Sequence, residues 1–177
     1  MLITEEESRE VTIRAAAQQM LAAARTAPKG KGRDTLALAV AYDDTLRAIA
    51  DKLEALGEAW NIPFFLRDAA NVRQSQAVVL MGTTIEPLGL AHCGFCGMTN
   101  CETKRRCAAM PCAMNTVDLG IAMGSAVAVA AQWGIDSRVM FSVGKAAVAL
   151  ELLGKEVPVA FGIPLSCSSK SPFFDRK

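Results

Sequence analysis

The chain has 177 residues, 51% hydrophobic and 21% charged, which is enough to bury one sizeable core and too few for two. Lys and Arg number 19 against 18 for Asp and Glu, so a net charge of +1 leaves no basic excess to grip a nucleic-acid backbone. Glu5, Glu6 and Glu7 stand where a secretory signal carries basic residues, and the uncharged stretch between Asp118 and Asp136 is short for a bilayer span; a cytoplasmic chain away from membranes is expected.

Thr4 and Glu7 have the spacing of a capping box, and Val11, Ile13, Ala16, Met20 and Ala24 recur at helical period, predicting a first helix to about Thr26 that Pro28 stops. A loop at Lys29-Gly30-Lys31-Gly32-Arg33 leads to a strand over 35–41. A helix then starts at Asp43 or Asp44 and carries Leu46, Ile49, Leu53, Leu56 and Trp60 on one face. A short helix over 67–73 and a strand over 77–81, closed by Gly82, precede the cysteines. Beyond them the pattern predicts a helix over 115–133 stopped by Gly134, a strand over 139–143, a helix over 145–153 and a last strand over 157–161. Asp118 and Asp136 suit helix-end and turn roles. No repeat or linker divides the chain, so residues 1–177 read as a single α+β domain. It has a mixed central sheet covered by helices, and the cysteine-rich loop of residues 91–114 is inserted within it.

Five of the six cysteines fall between positions 93 and 112, which in a chain without an export signal points to metal rather than disulfides. Cys93, Cys96 and Cys101 are separated by two and then four residues, and Cys107 and Cys112 follow. A 4Fe-4S cluster needs four converging thiolates, three of them within reach of one tight loop. Gly94 and Gly97 each follow a cysteine, where a missing Cβ permits the left-handed turn such a loop requires. Cys107 and Cys112 are both within reach as the fourth ligand. Cys112 precedes a predicted helix whose positive end favours a thiolate, and Cys107 ends the run Lys104-Arg105-Arg106. That run reads as a solvated face, the alternative being cations that offset the charge of a reduced cluster and mark a docking place for an electron partner. Structural zinc takes the same four thiolates, although zinc sites usually pair two Cys-x-x-Cys knuckles. His92 suits an ordinary loop role and Cys167 a packed or surface thiol. Neither a Ser-His-Asp set nor a placed pair of carboxylates supports hydrolysis.

The run Cys93-Gly94-Phe95-Cys96-Gly97, with Cys101 and with Cys112-Ala113 leading into Val117-Asp118-Leu119-Gly120-Ile121-Ala122-Met123-Gly124, resembles uncharacterised prokaryotic proteins containing a ferredoxin domain. Arg25-Thr26-Ala27-Pro28, Asp68-Ala69-Ala70-Asn71-Val72-Arg73, Phe141-Ser142-Val143-Gly144, Gly162-Ile163-Pro164-Leu165 and Phe173-Phe174-Asp175-Arg176 look like the same family, over nearly the whole chain. The resemblance implies Cys93, Cys96, Cys101 and Cys112 as cluster ligands, with Cys107 as an extra thiol.

A more distant likeness is to nitroreductases, α+β flavoproteins that form homodimers around FMN. Ala23-Ala24-Arg25-Thr26-Ala27-Pro28 is similar to the loop after their first helix, the Ala-rich helix from Asp118 to Gly134 to their central dimer helix, and Gly162-Ile163-Pro164 to their late strand. This implies a homodimer and FMN. The paired arginines and serine that hold the flavin phosphate in such enzymes have no counterpart, which leaves Lys29, Lys31 and Arg33 as candidate contacts or as an ordinary basic loop. Gly120 and Gly124, four apart on one helix, fit a close helix crossing or a subunit interface. The function these readings favour is an iron-sulfur protein that passes electrons to or from a redox protein, a small oxidoreductase if flavin is also bound. The alternative is a non-catalytic sensor or interaction protein holding a cluster or zinc.

Overall fold

The Thr4 hydroxyl accepts the Glu7 backbone N–H at 3.3 Å, and the Glu7 carboxylate accepts the Thr4 N–H at 2.9 Å. This reciprocal cap starts α1 (Glu5–Thr26) in the computed structural model, which describes residues 1–174. Asp175 and Arg176 of the ferredoxin-domain resemblance lie outside the described residues. β1 (Leu36–Ala41) leads into α2 (Asp43–Trp60) and α3 (Pro63–Arg73). Pro63 occupies the opening turn of α3, where its missing N–H costs nothing, so the helix begins ahead of the expected residue 67.

β2 (Ala77–Thr83) is buried along its whole length and divides the interior in two. Ala77, Val79 and Met81 pack with α1 and with α5 (Ala113–Gln132), whereas Val78 and Leu80 pack with α2, α3 and α6 (Phe141–Ala149). This is the period of two expected of a strand covered on both faces. With β3 (Asp136–Ser137) and β4 (Val159–Ser166), and the short α4 (Cys101–Arg105) inside the cysteine segment, the strand order is β1-β2-β4-β3.

The α+β class and the helix-covered sheet agree with the sequence reading, but the strands pair antiparallel throughout instead of forming a mixed sheet. One intervening helix returns the chain to its starting end and yields a parallel strand. Here two helices intervene, so β2 enters from the opposite end.

The predicted strand over 139–143 is also corrected. Met140 exchanges two hydrogen bonds with Gly162, at 2.8 and 3.1 Å, and the next residue opens α6. The last strand extends to Ser166 in place of the expected residue 161, and it tolerates Pro164 because of the same ladder. Two residues on from Gly162, the proline nitrogen faces the gap between Ser137 and Met140, where no N–H is called for.

α6 lies on β4 at unusually close range. A Cβ on Gly144 would stand 1.8 Å from the Ala160 carbonyl oxygen, and one on Gly162 would stand 2.1 Å from a Val143 methyl. α5 is long and apolar enough to cross a membrane by length and composition alone; in this fold Asp118, Leu119, Ala122, Ala126 and Ala130 form a buried inner face.

Candidate functional site

The chain leaving β2 is pinned at three points before it reaches the cysteines. Thr84 N–H donates to the Thr35 carbonyl at 3.1 Å, Glu86 N–H donates to Asn115 Oδ1 at 2.9 Å, and the carbonyl of buried Leu88 accepts Lys31 Nζ at 3.4 Å. Beyond them, Gly94 and Gly97 have φ of 61° and 80°, in the left-handed region their positions called for, and Gly97 N–H donates to the Gly94 carbonyl at 2.9 Å. Asn100 Oδ1 accepts the Thr103 N–H at 2.8 Å and so caps α4, of which Cys101 is the first residue. Cys112 is the N-cap of α5, its carbonyl accepting the Thr116 N–H at 3.2 Å.

These elements bring Cys93, Cys96, Cys101 and Cys112 to the wall of one cavity, with Pro87, Leu88, Leu90, Met98 and Met114 as its apolar lining. Cys112 is buried. Cys107 is exposed and lies outside the wall, as do His92, which is exposed, and Cys167, which follows β4 and donates its N–H to Gln76 Oε1. Among the described residues no three His, Cys, Asp or Glu side chains are gathered as a metal site, and the four cysteines share the cavity wall without that convergence.

Lys104 also lines this cavity, with 2% of its surface exposed. Its Nζ donates to the Cys107 carbonyl at 3.3 Å, and among the described residues it pairs with no carboxylate. Taking an ammonium out of water costs on the order of several kcal/mol unless other charges compensate. Arg105 and Arg106 are exposed, so the solvated-face reading holds for them and fails for Lys104. The missed signal was a spacing: Cys101 and Lys104 are three apart on α4 and therefore share a face.

The basic loop is engaged internally. Lys29 Nζ donates to the carbonyls of Ala24, Arg25 and Ala27 at 3.2, 2.6 and 2.7 Å, closing the C-terminal end of α1. Gly30 N–H donates to both carboxylate oxygens of Asp118 at 3.0 Å, so the anion this loop holds is a buried side chain of α5. Asp118 thus lies inside the helix and ties it to the loop, rather than marking a helix end. Lys31 is held by Leu88 as described, and Arg33 is exposed. Of the three, Lys29 is spent on the end of α1 and Lys31 on Leu88, which leaves Arg33 as the one with no side-chain acceptor among the described residues.

Residues 108–176 match the model of a family described as an uncharacterized protein containing a ferredoxin domain. The matched stretch holds Cys112, α5, α6 and β4, and begins after Cys101. An uncharacterized protein of Archaeoglobus fulgidus is 38% identical over 183 residues, covering 99% of this chain and 98% of its own. Among solved structures, a nitroreductase family protein from Clostridium novyi NT has a TM-score of 0.59 at 16% identity, over 94% of this chain and 76% of that one. A nitroreductase in complex with FMN from Desulfovibrio desulfuricans has a TM-score of 0.56 at 14% identity, over 100% and 81%. Likeness at such identities establishes the fold, which is that of the nitroreductases.

Proposed function

Because the chain belongs to the family of uncharacterised proteins containing a ferredoxin domain, we propose that it is a redox protein in which Cys93, Cys96, Cys101 and Cys112 hold a 4Fe-4S cluster. The observation that carries this is the shared cavity: four thiols separated by up to nineteen positions of sequence line one apolar chamber, and Cys107 stands outside it. The ferredoxin-domain family and one Cys-x-x-Cys followed by single thiols favour a cluster over zinc, whose sites usually pair two such knuckles. When bound, the cluster supplies a one-electron donor and acceptor for a partner redox protein.

The residues divide the work of holding it. Gly94 and Gly97 turn the loop so that Cys93 and Cys96 reach the same chamber. Cys112, at the N-cap of α5, has the positive end of a helix of 20 residues to stabilise its thiolate. Leu88, Leu90, Met98 and Met114 give the cavity an apolar lining beside the cysteines. Lys29, Gly30 and Lys31 are engaged within the fold, leaving Arg33 alone of that loop for a flavin phosphate, and no flavin step is proposed. A reducing cytoplasm, in which the cysteines stay free, suits this role.

Anoxically purified protein is expected to be brown, with a broad thiolate-to-iron band and with iron and acid-labile sulfide at about four each per chain. Colourless protein carrying zinc and no sulfide would overturn the cluster and leave the sensor or interaction role.

The proposal includes a homodimer. α5 turns Val117, Gly120, Ile121, Gly124 and Ala128 outward, a stripe at helical spacing with Val117 47% and Ile121 41% exposed. A second copy laid on this stripe would find no side chain at the two glycines. Light scattering after size exclusion is expected to give a dimer for the wild type and a monomer for Ile121→Glu; a monomeric wild type refutes it.

A further inference from the structure

We infer that Lys104 is the internal counter-charge of the cysteine cavity and sets the reduction potential of the cluster held there, an inference that rests on the four-thiolate site proposed above. Lys104 is buried and lines the same cavity as the four cysteines, and among the described residues its ammonium has one acceptor, the Cys107 carbonyl at 3.3 Å. That bond uses one of three N–H donors. Among the described residues no carboxylate pairs with it, and within the cavity wall the groups able to become anions are the cysteines.

The placement is built rather than incidental. Cys101 and Lys104 share a face of α4, whose start is fixed by the Asn100 cap, and the Cys107 carbonyl holds the far end of the side chain. Four thiolates carry more negative charge than a cluster core neutralises, and each electron accepted adds one more unit. A fixed cation beside the sulfurs therefore favours the reduced state over the oxidised state and raises the potential. Arg105 and Arg106 bear the same charge on the exposed side of the segment, where water and salt screen it.

The test compares wild type, Lys104→Gln, Lys104→Arg and Arg105→Gln, each loaded with iron and sulfide without air and titrated by visible and paramagnetic resonance spectra. The midpoint potential is expected to fall in Lys104→Gln, to return towards wild type in Lys104→Arg and to stay in place in Arg105→Gln. A fully loaded Lys104→Gln chain with the wild-type potential overturns the counter-charge and leaves the cluster assignment standing. Should Lys104→Gln not retain the cluster, Co²⁺ titration of the metal-free chains decides, read by thiolate-to-cobalt charge transfer. Binding is expected to be at least tenfold weaker in Lys104→Gln than in wild type and restored in Lys104→Arg, and equal affinities overturn the inference. A wild-type chain that takes up neither the cluster nor Co²⁺ removes the four-thiolate site, and the role of Lys104 with it.

Discussion

Cys96→Ala is expected to strip the chain of iron and acid-labile sulfide, while Cys107→Ala keeps the wild-type content of both. Cys96 lies between the two left-handed glycines and lines the cavity. Its loss leaves three thiolates for a core that needs four, with no neighbouring carboxylate or imidazole in the wall to replace it. Cys107 is five residues from Cys112 in sequence, yet its side chain is exposed and outside the wall. Cys112→Ala is expected to behave like Cys96→Ala, because its thiol is buried at the start of α5. Iron and sulfide analysis of anoxic protein reads all three. Retention in Cys112→Ala together with loss in Cys107→Ala would exchange the fourth ligand.

Gly144→Ala is expected to remove the folded state or to lower its stability by more than about 4 kcal/mol, a value reached by few single substitutions. The added methyl would meet the Ala160 oxygen at 1.8 Å, the Ala160 carbonyl carbon at 2.3 Å and the Phe161 Cα at 2.7 Å. All three are backbone atoms of β4, held at this register by the ladder with β2, so no rotamer change relieves the clash. α6 would have to withdraw, opening the contact of Val143, Ala146 and Ala147 with the sheet. Since a domain of this kind is stable by about 5–15 kcal/mol, the loss takes a large share of the total. Urea unfolding followed by circular dichroism measures it, and a wild-type midpoint contradicts the close approach.

The sequence was most legible where local chemistry decides the structure. The Thr4–Glu7 cap, the apolar face of α2 through Leu46, Ile49 and Leu53, and the apolar run of β2 appear as read, because each is set within a few residues. It was misleading where a distant segment decides. Residues 139–143 are apolar and β-branched enough for a strand, but the close seat that Gly144 permits against β4 turns them into a helix after one bridge. Gly82 reads as a stop, yet it continues β2, because its missing Cβ leaves room for Val157.

The candidate site divides in the same way. The cysteine spacing and the two glycines were visible in one dimension. The burial of Lys104 was not, because charge in a run of three cations looks solvated until α4 turns one of them inward. Nor was the engagement of Lys29 and Gly30, whose acceptors are the end of α1 and an aspartate 88 positions away.

β4 is the final strand to be made, yet it occupies an inner place in the sheet, between β2 and β3. On a ribosome, the thiols at 93–112 emerge well before residue 166, and during that interval β2 presents a bare edge to any other extended peptide. The nascent chain therefore carries free thiols and an open sheet together, and insertion of β4 removes the second hazard only once translation has passed it.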